Sequence, residues 1–204
     1  MRLLIATTNA GKIKEFREMV GEDIFEWSDL SSQKPVEPVE EIGATFRANA
    51  CLKASHYALR FNTWTLADDS GLEVDVLAGR PGVHSARWAE INNAGQGDAA
   101  NNALLLRQLQ QFGDNHRQAR FVCVLALADP AGRIILTARD TVEGRLLRQP
   151  RGHSGFGYDP LFFIDSLSKT TAELPPDQKN AISHRGKALR RMRALIDRMN
   201  LGQK

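Results

Sequence analysis

Residues 63–71 read Thr-Trp-Thr-Leu-Ala-Asp-Asp-Ser-Gly, an apolar run that is followed at once by two carboxylates, a hydroxyl and a glycine. The apolar run predicts a buried strand over 63–67, and the polar residues predict a turn at its carboxyl end. Ligands of α/β proteins bind at the carboxyl ends of the strands. Because side chains alternate along a strand, we expect Asp68 and Asp69 to point to opposite sides, so that one of them faces a site.

The two adjacent aspartates allow two interpretations. A carboxylate pair suits a divalent cation and a base that activates water, which are two needs of phosphate chemistry. Asp, Ser and Gly also favour turns, so the same residues are typical of a plain strand-to-turn junction. Other segments of the chain decide between an acidic site and a turn.

Length and composition place the chain among ordinary globular proteins. Its 204 residues fit one large domain or two small lobes with a sizeable core. Hydrophobic residues at 42% and charged residues at 25% are the usual proportions of such proteins. The net charge of +3 is too small to indicate a nucleic-acid binder, and the basic residues near the C-terminus are more typical of a solvated helix face than of a polyanion-binding patch. We therefore expect no nucleic-acid partner.

Two features bear on the cellular compartment. Cys51 and Cys123 lie in apolar surroundings without metal or redox spacing, which predicts reduced, buried thiols. The apolar run Met1–Ala6 is too short for a signal peptide or a membrane span. We therefore expect a cytoplasmic protein with no membrane partner.

Apolar spacing predicts alternating strands and helices in the first part of the chain and a hairpin later. Helices are predicted at Lys12–Val20, Thr45–Arg60, 98–112 and Ser183–Asn200. Strands are predicted at Leu3–Ala6, 63–67, the short piece Glu73–Val76, Ala119–Ala128 and Arg133–Ala138, with Thr141–Leu147 as an optional extension of the last. Loops are predicted at 28–43, which contains Pro35 and Pro38, and at Gly152–Pro160. Strand–helix–strand units followed by a hairpin predict an α/β fold with a mixed sheet.

The turn between the first strand and the first helix has the composition of a phosphate-binding loop. Small and hydroxyl residues there let backbone N–H groups approach an anion, and the helix N-terminus and Lys12 add positive potential. The spacing differs from that of a Walker P-loop, and a plain helix cap explains the same residues equally well. The residues of this turn are Thr7, Thr8, Asn9, Ala10, Gly11 and Lys12.

Acidic and polar residues precede and line the second predicted helix. Glu40 and Glu41 lie in a loose segment, where paired acids are usually solvated. They gain a metal-binding role if the fold brings them near Asp69, because magnesium is held by one or two carboxylates together with substrate oxygens. Asn49 and Lys53 stand four residues apart, on a polar face of the helix.

Two later segments contain further candidate binding residues. In Gly155–Pro160 the ring of Phe156, between glycines, can lie flat against a planar ligand, and Asp159 before a proline offers a directed acceptor. A β-turn with a core aromatic is the alternative interpretation. At the start of the last helix, His184 and Arg185 oppose the helix dipole, and this unfavourable choice is a mild argument for an anionic ligand.

Taken together and in this order, these segments resemble the inosine triphosphate pyrophosphatase family, in particular its bacterial dITP/XTP pyrophosphatases. The matching stretches are Thr8-Asn9-Ala10-Gly11-Lys12 with Glu15, Glu40–Lys53, Ala67–Leu72, Gly82–Arg87, Gly155–Pro160 and Lys179–Gly186. Several motifs in register over essentially the whole chain are a far more specific signal than any single one.

The resemblance implies a fold and an activity. The expected fold is a single domain over residues 1–204, with an elongated mixed central sheet flanked by helices and two lobes with an active-site cleft between them. The expected assembly is a homodimer. The expected reaction is the Mg²⁺-dependent hydrolysis of dITP, ITP and XTP to the nucleoside monophosphate and pyrophosphate. That reaction removes 6-oxo non-standard purine nucleotides from the pool and so prevents their incorporation into DNA and RNA.

The resemblance also implies roles for single residues. Asp69 would be the general base that activates water for attack at the α-phosphorus, and it would contact the metal. Asp68, with Glu40 or Glu41, would complete the metal environment. Ser70 would position the substrate beside the base. The substrate-binding residues that the resemblance implies are Thr7, Thr8, Asn9, Ala10, Gly11, Lys12, Lys53, Ser70, Phe156, Gly157, Tyr158, Asp159, Lys179, His184 and Arg185.

Base selection then has a physical account. Phe156 would stack on the purine, Arg185 would donate to O6 and N7, and Asp159 would accept from N1–H. Adenine has an amino group in place of O6 and no hydrogen on N1, so two mismatched polar groups would reject ATP by roughly two to four powers of ten. Guanine shares O6 and N1–H, so exclusion of GTP would have to come from its 2-amino group. The alternative functions are a related enzyme that releases orthophosphate and a nucleotide-binding module without turnover.

Overall fold

The computed structural model, which describes residues 2–19, 26–33 and 37–199, contains one mixed β-sheet. Its strands are β1 (Arg2–Ile5), β2 (Glu26–Asp29), β3 (Trp64–Val74), β4 (Gln118–Ala128), β5 (Ile134–Leu146), β6 (Phe162–Ile164) and β7 (Lys169–Thr170). They lie in the order β2-β1-β3-β4-β5-β6-β7. β1 pairs in parallel with β2 and β3, whereas β6 pairs antiparallel with β5 and β7. The predicted α/β fold with a mixed sheet is therefore confirmed.

Helices flank this sheet. They are α1 (Ala10–Met19), α2 (Phe46–Phe61), α3 (Trp88–Ile91), α4 (Gly97–Leu109), α5 (Pro176–Ile182) and α6 (His184–Arg198). Thr45 Oγ1 accepts from Ala48 N at 3.1 Å and caps the start of α2, and Asn62 ends that helix in the left-handed conformation. None of the helices in the described residues combines the length and the apolar composition that a membrane span requires.

The acidic residues lie inside a strand rather than in a turn. β3 runs without interruption from Trp64 to Val74, so the predicted turn over 68–71 and the separate strand over 73–76 are wrong. Leu72 and Val74 are fully buried, and β3 has β1 on one side and β4 on the other. Burial and ladder pairing of a central strand outweigh the turn preference of Asp, Ser and Gly.

The two aspartates nevertheless follow the carboxyl end of a neighbouring strand. β1 ends at Ile5, which pairs with Leu66 of β3. Asp68 and Asp69 therefore lie just beyond the last β1 pairing, on a strand that runs parallel to β1. This is the kind of sheet edge at which α/β proteins bind ligands, so the position expected for a site is retained although the turn is not.

Most other predicted elements are confirmed within a few residues. The hairpin of β4 and β5 is closed by Asp129 N, which donates to Arg133 O at 3.0 Å, and β5 includes the optional extension over 141–146. β2, β6, β7, α3 and α5 were not predicted, because such short elements give no periodic pattern. Of the loop predicted over 28–43, residues 37–43 form no regular structure, but the first two residues belong to β2 and Leu30–Ser32 form a turn of 3-10 helix. Val20, Pro35 and Asn200, on which parts of the predictions fall, lie outside the described residues.

The chain divides into two compact units, each with its own core. The first comprises Met1–Asp69, Cys123–Asp140 and Arg185–Lys204, and the second comprises Ser70–Val122 and Thr141–His184. The first core includes Leu3, Ile5, Phe16, Leu66, Leu125, Leu127, Met192 and Ile196. The second core includes Leu72, Leu105, Leu109, Phe121, Leu146, Tyr158, Leu161 and Phe162. The expected single domain with a cleft between two lobes stays a prediction.

The two cysteines are free thiols in different environments. Cys123 is fully buried, as predicted, and burial raises the pKa of its thiol to about 12. Cys51 is only half-buried, so the prediction of a buried thiol is wrong for this residue. It lies on α2, which packs one face inward and leaves flanking positions partly exposed.

Candidate active site

The turn between β1 and α1 contains the first group of predicted substrate-binding residues. Asn9 caps α1, because its Oδ1 accepts from Lys12 N at 3.0 Å, and Thr7 Oγ1 accepts from Asn9 N at 3.2 Å. The helix-cap interpretation is therefore confirmed. Thr7 is buried, Gly11 and Lys12 are half-buried, and Thr8, Asn9 and Ala10 are exposed. The exposed start of a ten-residue helix remains suited to an anion, since its positive dipole end is accessible.

Asp68 is fully buried and lies among cations. Lys12 Nζ is 2.9 Å and Arg185 Nη2 is 3.4 Å from Asp68 Oδ2. The Arg185 guanidinium also pairs with Glu15, which is buried on α1. Burial raises the pKa of Asp68, but the charges of Lys12 and Arg185 outweigh burial and hold that pKa well below its usual range. Asp68 is therefore an ionised carboxylate whose charge the protein itself balances.

Asp69 has the opposite electrostatic environment. Its Oδ2 accepts from Asn49 Nδ2 and its Oδ1 contacts Lys53 Nζ, both at 3.2 Å. Burial raises the pKa of Asp69, and the Lys53 cation does not cancel that shift. The negative charges of Glu41 and Asp68 raise this pKa further. Two carboxyl groups whose pKa values are displaced in opposite directions are typical of a site in which one of them acts as a base.

One of the two neighbouring glutamates contacts this cluster. Glu41 Oε1 lies 3.0 Å from Lys53 Nζ, whereas Glu40 is exposed. Burial lowers the pKa of Lys53, but the charges of Asp69 and Glu41 raise it above its usual value. Lys53 therefore stays an ammonium group that holds both Glu41 and Asp69.

The segment that contains Glu41 is attached to α2 through Asn49. Gly43 N donates to Asn49 Oδ1 at 2.7 Å, while Nδ2 of the same buried amide donates to Asp69. A Cβ at Gly43 would lie 2.5 Å from Asn49 Oδ1, so this close approach requires glycine. Asn49 and Lys53 are one helical turn apart, so a single face of α2 holds Asp69 and the Glu41 segment together.

The donor set of this cluster fits a magnesium ion that also binds a substrate. Asp69 and Glu41 supply hard oxygen ligands and contact the same ammonium group, at 3.2 and 3.0 Å. Among the described residues, three or more His, Cys, Asp or Glu side chains are nowhere grouped as a ready-made metal cage. Mg²⁺ usually keeps several waters and takes only one or two protein carboxylates together with phosphate oxygens, so two carboxylates suffice.

A second group of predicted residues lies in the glycine-rich loop of the second unit. Asp159 is buried; its Oδ2 accepts from Phe156 N at 2.9 Å and pairs with Lys179 Nζ at 2.7 Å. Its Oδ1 accepts from Thr171 Oγ1 at 2.8 Å. Gly155 has a φ of +81°, and a Cβ there would clash with Asp159 Oδ2. Asp159 therefore organises the loop around its own carboxylate.

The two aromatic residues of this loop have different environments. Tyr158 is buried, and its hydroxyl donates to Ser85 O at 2.9 Å, so the core-aromatic interpretation applies to Tyr158. Phe156 is only half-buried, and Lys179 Nζ lies 5.2 Å from its ring centroid. Gly157 separates them with a φ of +62°, a conformation that favours glycine. Phe156 is thus the aromatic that remains partly accessible.

His184 and Arg185 at the start of α6 both have protein partners. The His184 ring stacks on Phe121, with centroids 5.0 Å apart and planes at 18°. Arg185 is buried and pairs with Glu15 and Asp68. The unfavourable position of Arg185 relative to the helix dipole is therefore compensated by carboxylates of the protein, without any need for an anionic ligand.

The predicted site residues fall into two groups, one in each unit. Those of the first unit are Thr7, Thr8, Asn9, Ala10, Gly11, Lys12, Glu40, Glu41, Lys53, Asp68, Asp69 and Arg185, and those of the second unit are Ser70, Phe156, Gly157, Tyr158, Asp159, Lys179 and His184. Asn49 was not assigned from the sequence, although its spacing of four residues from Lys53 was a usable signal. Base recognition by Arg185, Phe156 and Asp159 draws on both units and stays a prediction.

Comparison with known proteins agrees with the resemblance seen in the motifs. A dITP/XTP pyrophosphatase of Exiguobacterium sp. is 50% identical over 196 residues, which cover 96% of this chain and 97% of the relative. The structure of a HAM1 protein from Coxiella burnetii has a TM-score of 0.85 at 37% identity and covers 97% of this chain and 99% of its own. The Ham1 protein of Staphylococcus aureus has a TM-score of 0.83 at 38% identity, with coverages of 97% and 98%. The Ham1 family model matches residues 3–195, which include both groups of site residues, and the chain therefore belongs to the Ham1 family.

Proposed function

We propose that this chain is a hydrolase that cleaves dITP, ITP and XTP to the nucleoside monophosphate and pyrophosphate, and so keeps 6-oxo non-standard purine nucleotides out of DNA and RNA. The name dITP/XTP pyrophosphatase belongs to relatives that are 43–50% identical over nearly the whole chain. The observation that carries the proposal is the buried pair of carboxylates on β3. The negative charge of Asp68 is balanced by cations, whereas the pKa of Asp69 is raised.

In the proposed mechanism Asp69 is the general base. It takes a proton from a water molecule whose oxygen attacks the α-phosphorus; the bond from that phosphorus to the α,β-bridging oxygen breaks, and pyrophosphate leaves. Lys12, Lys53 and the exposed N-terminus of α1 supply positive charge for the phosphates. Asn49 and Lys53 orient the Asp69 carboxylate, since each contacts a different oxygen of it.

We assign the magnesium site to Asp69 and Glu41, with phosphate oxygens of the substrate completing it. When bound, the ion neutralises charge on the phosphates and so makes pyrophosphate a better leaving group. Asp68 has a different role, because it contacts the cations of Lys12 and Arg185 and holds them in place. This assignment leaves exposed Glu40 without a direct role.

We propose base selection by Phe156, Asp159 and Arg185. The half-buried Phe156 ring would stack on the purine. Asp159 already makes internal contacts, but a carboxylate has about four lone-pair sites, so it retains capacity for the base. Asp159 would accept from N1–H and Arg185 would donate to O6 and N7, which distinguishes hypoxanthine and xanthine from adenine.

The test is a substrate panel with magnesium. dITP, ITP, XTP, dUTP, ATP and GTP are incubated with the protein, and pyrophosphate and orthophosphate are measured separately. We expect pyrophosphate from the first three at rates roughly two or more powers of ten above that from ATP. Equal rates for all six would contradict the base-recognition proposal, and release of orthophosphate alone would contradict attack at the α-phosphorus.

We also propose that the protein is a homodimer of the cytoplasm, where the nucleotide pool lies. Support comes from the resemblance of the motifs to a family of dimers. Light scattering on the purified protein measures its mass directly. A mass near that of one 22.7 kDa chain at all concentrations would contradict the dimer.

A further inference from the structure

We propose that Asp98 and Asn102 of α4 are positioning residues that hold the Phe156 loop, residues 155–159, in the orientation required for base binding. The inference rests on the proposed function, because it concerns the loop that would stack on the purine. It extends that function to two residues outside the matching motifs. Their side chains act on the backbone of the loop and not on the nucleotide.

Both polar groups of the Gly157 backbone are held by one face of α4. Asp98 Oδ2 accepts from Gly157 N at 2.6 Å, and Asn102 Nδ2 donates to Gly157 O at 2.9 Å. Asp98 and Asn102 are four residues apart and therefore neighbours on the helix surface. The orientation of the Asn102 amide follows from its acceptor, since its oxygen cannot face the carbonyl of Gly157. The peptide groups on both sides of Gly157 are thus fixed to the same helix.

Asp98 lies in the first turn of α4, but its carboxylate binds the loop and does not cap the helix. The residue that precedes α4, Gln96, makes no side-chain hydrogen bond to cap the helix. Asp98, the second residue of α4, is exposed and directs its carboxylate to Gly157. The helix dipole favours an Asp in the first turn of a helix. The hydrogen bond between Asp98 and Gly157 N is a further contact, which the stability of the helix does not require.

α4 is a firm support for these two residues. Trp88 Nε1 donates to Gln108 Oε1 at 2.9 Å, near the end of the helix. Buried Asn101 accepts from Ala89 N at 2.7 Å and donates to Ala86 O at 3.1 Å. These bonds tie α4 to the preceding α3 segment. A side chain on a helix fixed in this way can define the position of a loop.

Phe156 lies between two separately held backbone groups. Its own N–H donates to Asp159 Oδ2 at 2.9 Å, and the next N–H, that of Gly157, donates to Asp98. Glycine at position 157 has a positive φ and would move easily if released. Loss of the α4 contacts therefore frees one side of Phe156, so its ring would meet the purine in the required orientation less often.

The first test measures KM and kcat for ITP in Asp98→Ala and Asn102→Leu. We expect KM to rise about tenfold in each variant and kcat to change by less than about twofold. A tenfold rise lies within the binding free energy that stacking of one base on one aromatic ring provides. Asp98→Asn keeps an acceptor oxygen and should restore a KM close to that of the wild type. An unchanged KM in Asp98→Ala would overturn the proposal.

Two controls separate positioning from general stability. Gln108→Ala removes the bond to Trp88 from the same helix without touching the loop, so it should lower thermal stability and leave KM unchanged. In a Phe156→Ala background, Asp98→Ala should have no further effect on KM, since the contact acts through Phe156. The positioning role would be contradicted if Gln108→Ala raised KM as much as Asp98→Ala does. It would also be contradicted if Asp98→Ala raised KM by the same factor in the Phe156→Ala background.

A second test does not depend on turnover. Hydrogen exchange at the Gly157 amide should be slow in the wild type and at least about tenfold faster in Asp98→Ala, because its acceptor is lost. Binding of inosine monophosphate should weaken in the same variant, whereas binding of pyrophosphate should not. If the wild type hydrolyses none of the panel, the proposed function fails, but this exchange and binding experiment still decides the positioning role. Unchanged exchange would overturn it.

Discussion

Asp68 and Asp69 are adjacent residues of one type, yet their surroundings displace their pKa values in opposite directions. Both are buried, so desolvation raises the pKa of each. Asp68 contacts Lys12 and Arg185, and two cations outweigh its burial. Asp69 contacts one ammonium group, which it shares with Glu41. The effect of burial is therefore the larger one, and the pKa of Asp69 is raised. Alternation along β3 gives the two carboxylates these different partners.

The first prediction concerns the proposed base. Asp69→Asn keeps the shape of the side chain but removes the group that accepts the proton, so kcat for dITP should fall by about 10²–10⁴-fold. Binding of dITP, measured by calorimetry, should remain detectable. Asp177→Asn, at an exposed position of α5, is the control and should retain full activity. Turnover of Asp69→Asn within about tenfold of the wild type would exclude Asp69 as the base.

The second prediction concerns the buried arginine. Glu15→Gln removes one of the carboxylates that compensate Arg185, which is 1% exposed, and leaves a buried charge with less compensation. The free energy of unfolding, measured in urea, should fall by about 3 kcal/mol. Glu37→Gln, the same substitution at an exposed position, is the control and should change it by less than about 0.5 kcal/mol. Equal effects of the two substitutions would show that the buried pair has no special importance for stability.

At the level of elements, local preference and tertiary context disagree most clearly in β3. Asp, Ser and Gly at 68–71 favour a turn, but the strand continues because apolar residues on both sides of them are buried in a sheet interior. The loop at 155–159 shows the reverse case. Its glycines predict irregular backbone, and the structure has positive φ at Gly155 and Gly157, with a buried carboxylate at its centre.

The third prediction compares these two loop glycines. Gly155→Ala brings a Cβ into Asp159 Oδ2, so it should displace that carboxylate and raise KM for ITP by at least about tenfold. In Gly157→Ala the new Cβ has no other atom within 4 Å, so only the positive φ disfavours the substitution. It should lower the free energy of unfolding by about 1–2 kcal/mol. Enzyme kinetics and thermal unfolding of both variants provide the measurements. A larger kinetic defect in Gly157→Ala would contradict this interpretation of the loop.

At the level of the whole molecule, the two compact units share strands. The chain passes from the first unit to the second within β3, at Asp69 and Ser70, and β4 and β5 also contribute residues to both units. A strand that belongs to two cores couples their folding, because its ladder hydrogen bonds form or break along its length.

The fourth prediction follows from these shared strands. Trp27 and Trp64 lie in the first unit and Trp88 in the second. Fluorescence of a Trp88→Phe variant reports on the first unit, and fluorescence of a Trp27→Phe/Trp64→Phe variant reports on the second. We expect thermal transitions that coincide with each other and with circular dichroism. Two transitions separated in temperature would show that the units unfold as independent domains.

Much of this protein can be predicted from its amino-acid sequence, partly from local patterns and partly from the family resemblance. Apolar periodicity predicted the α/β class, the longer helices and the hairpin, because long amphipathic segments contain many repeats of their period. The family resemblance identified the candidate residues Asp68, Asp69, Lys12 and Lys53, and the structure brings all four into one cluster. Short elements such as β6 and α3 left no comparable signal.

Only the tertiary structure decided how these residues are used. It continued β3 through the aspartates, brought Glu41 to Lys53, buried Arg185 against carboxylates, and placed Asn49 on Asp69. Each of these outcomes depends on contacts between residues far apart in the chain and on the loss of water around them. A sequence window contains neither the partner of a charge nor its burial, and those two quantities set the pKa of a carboxyl group and its chemical role.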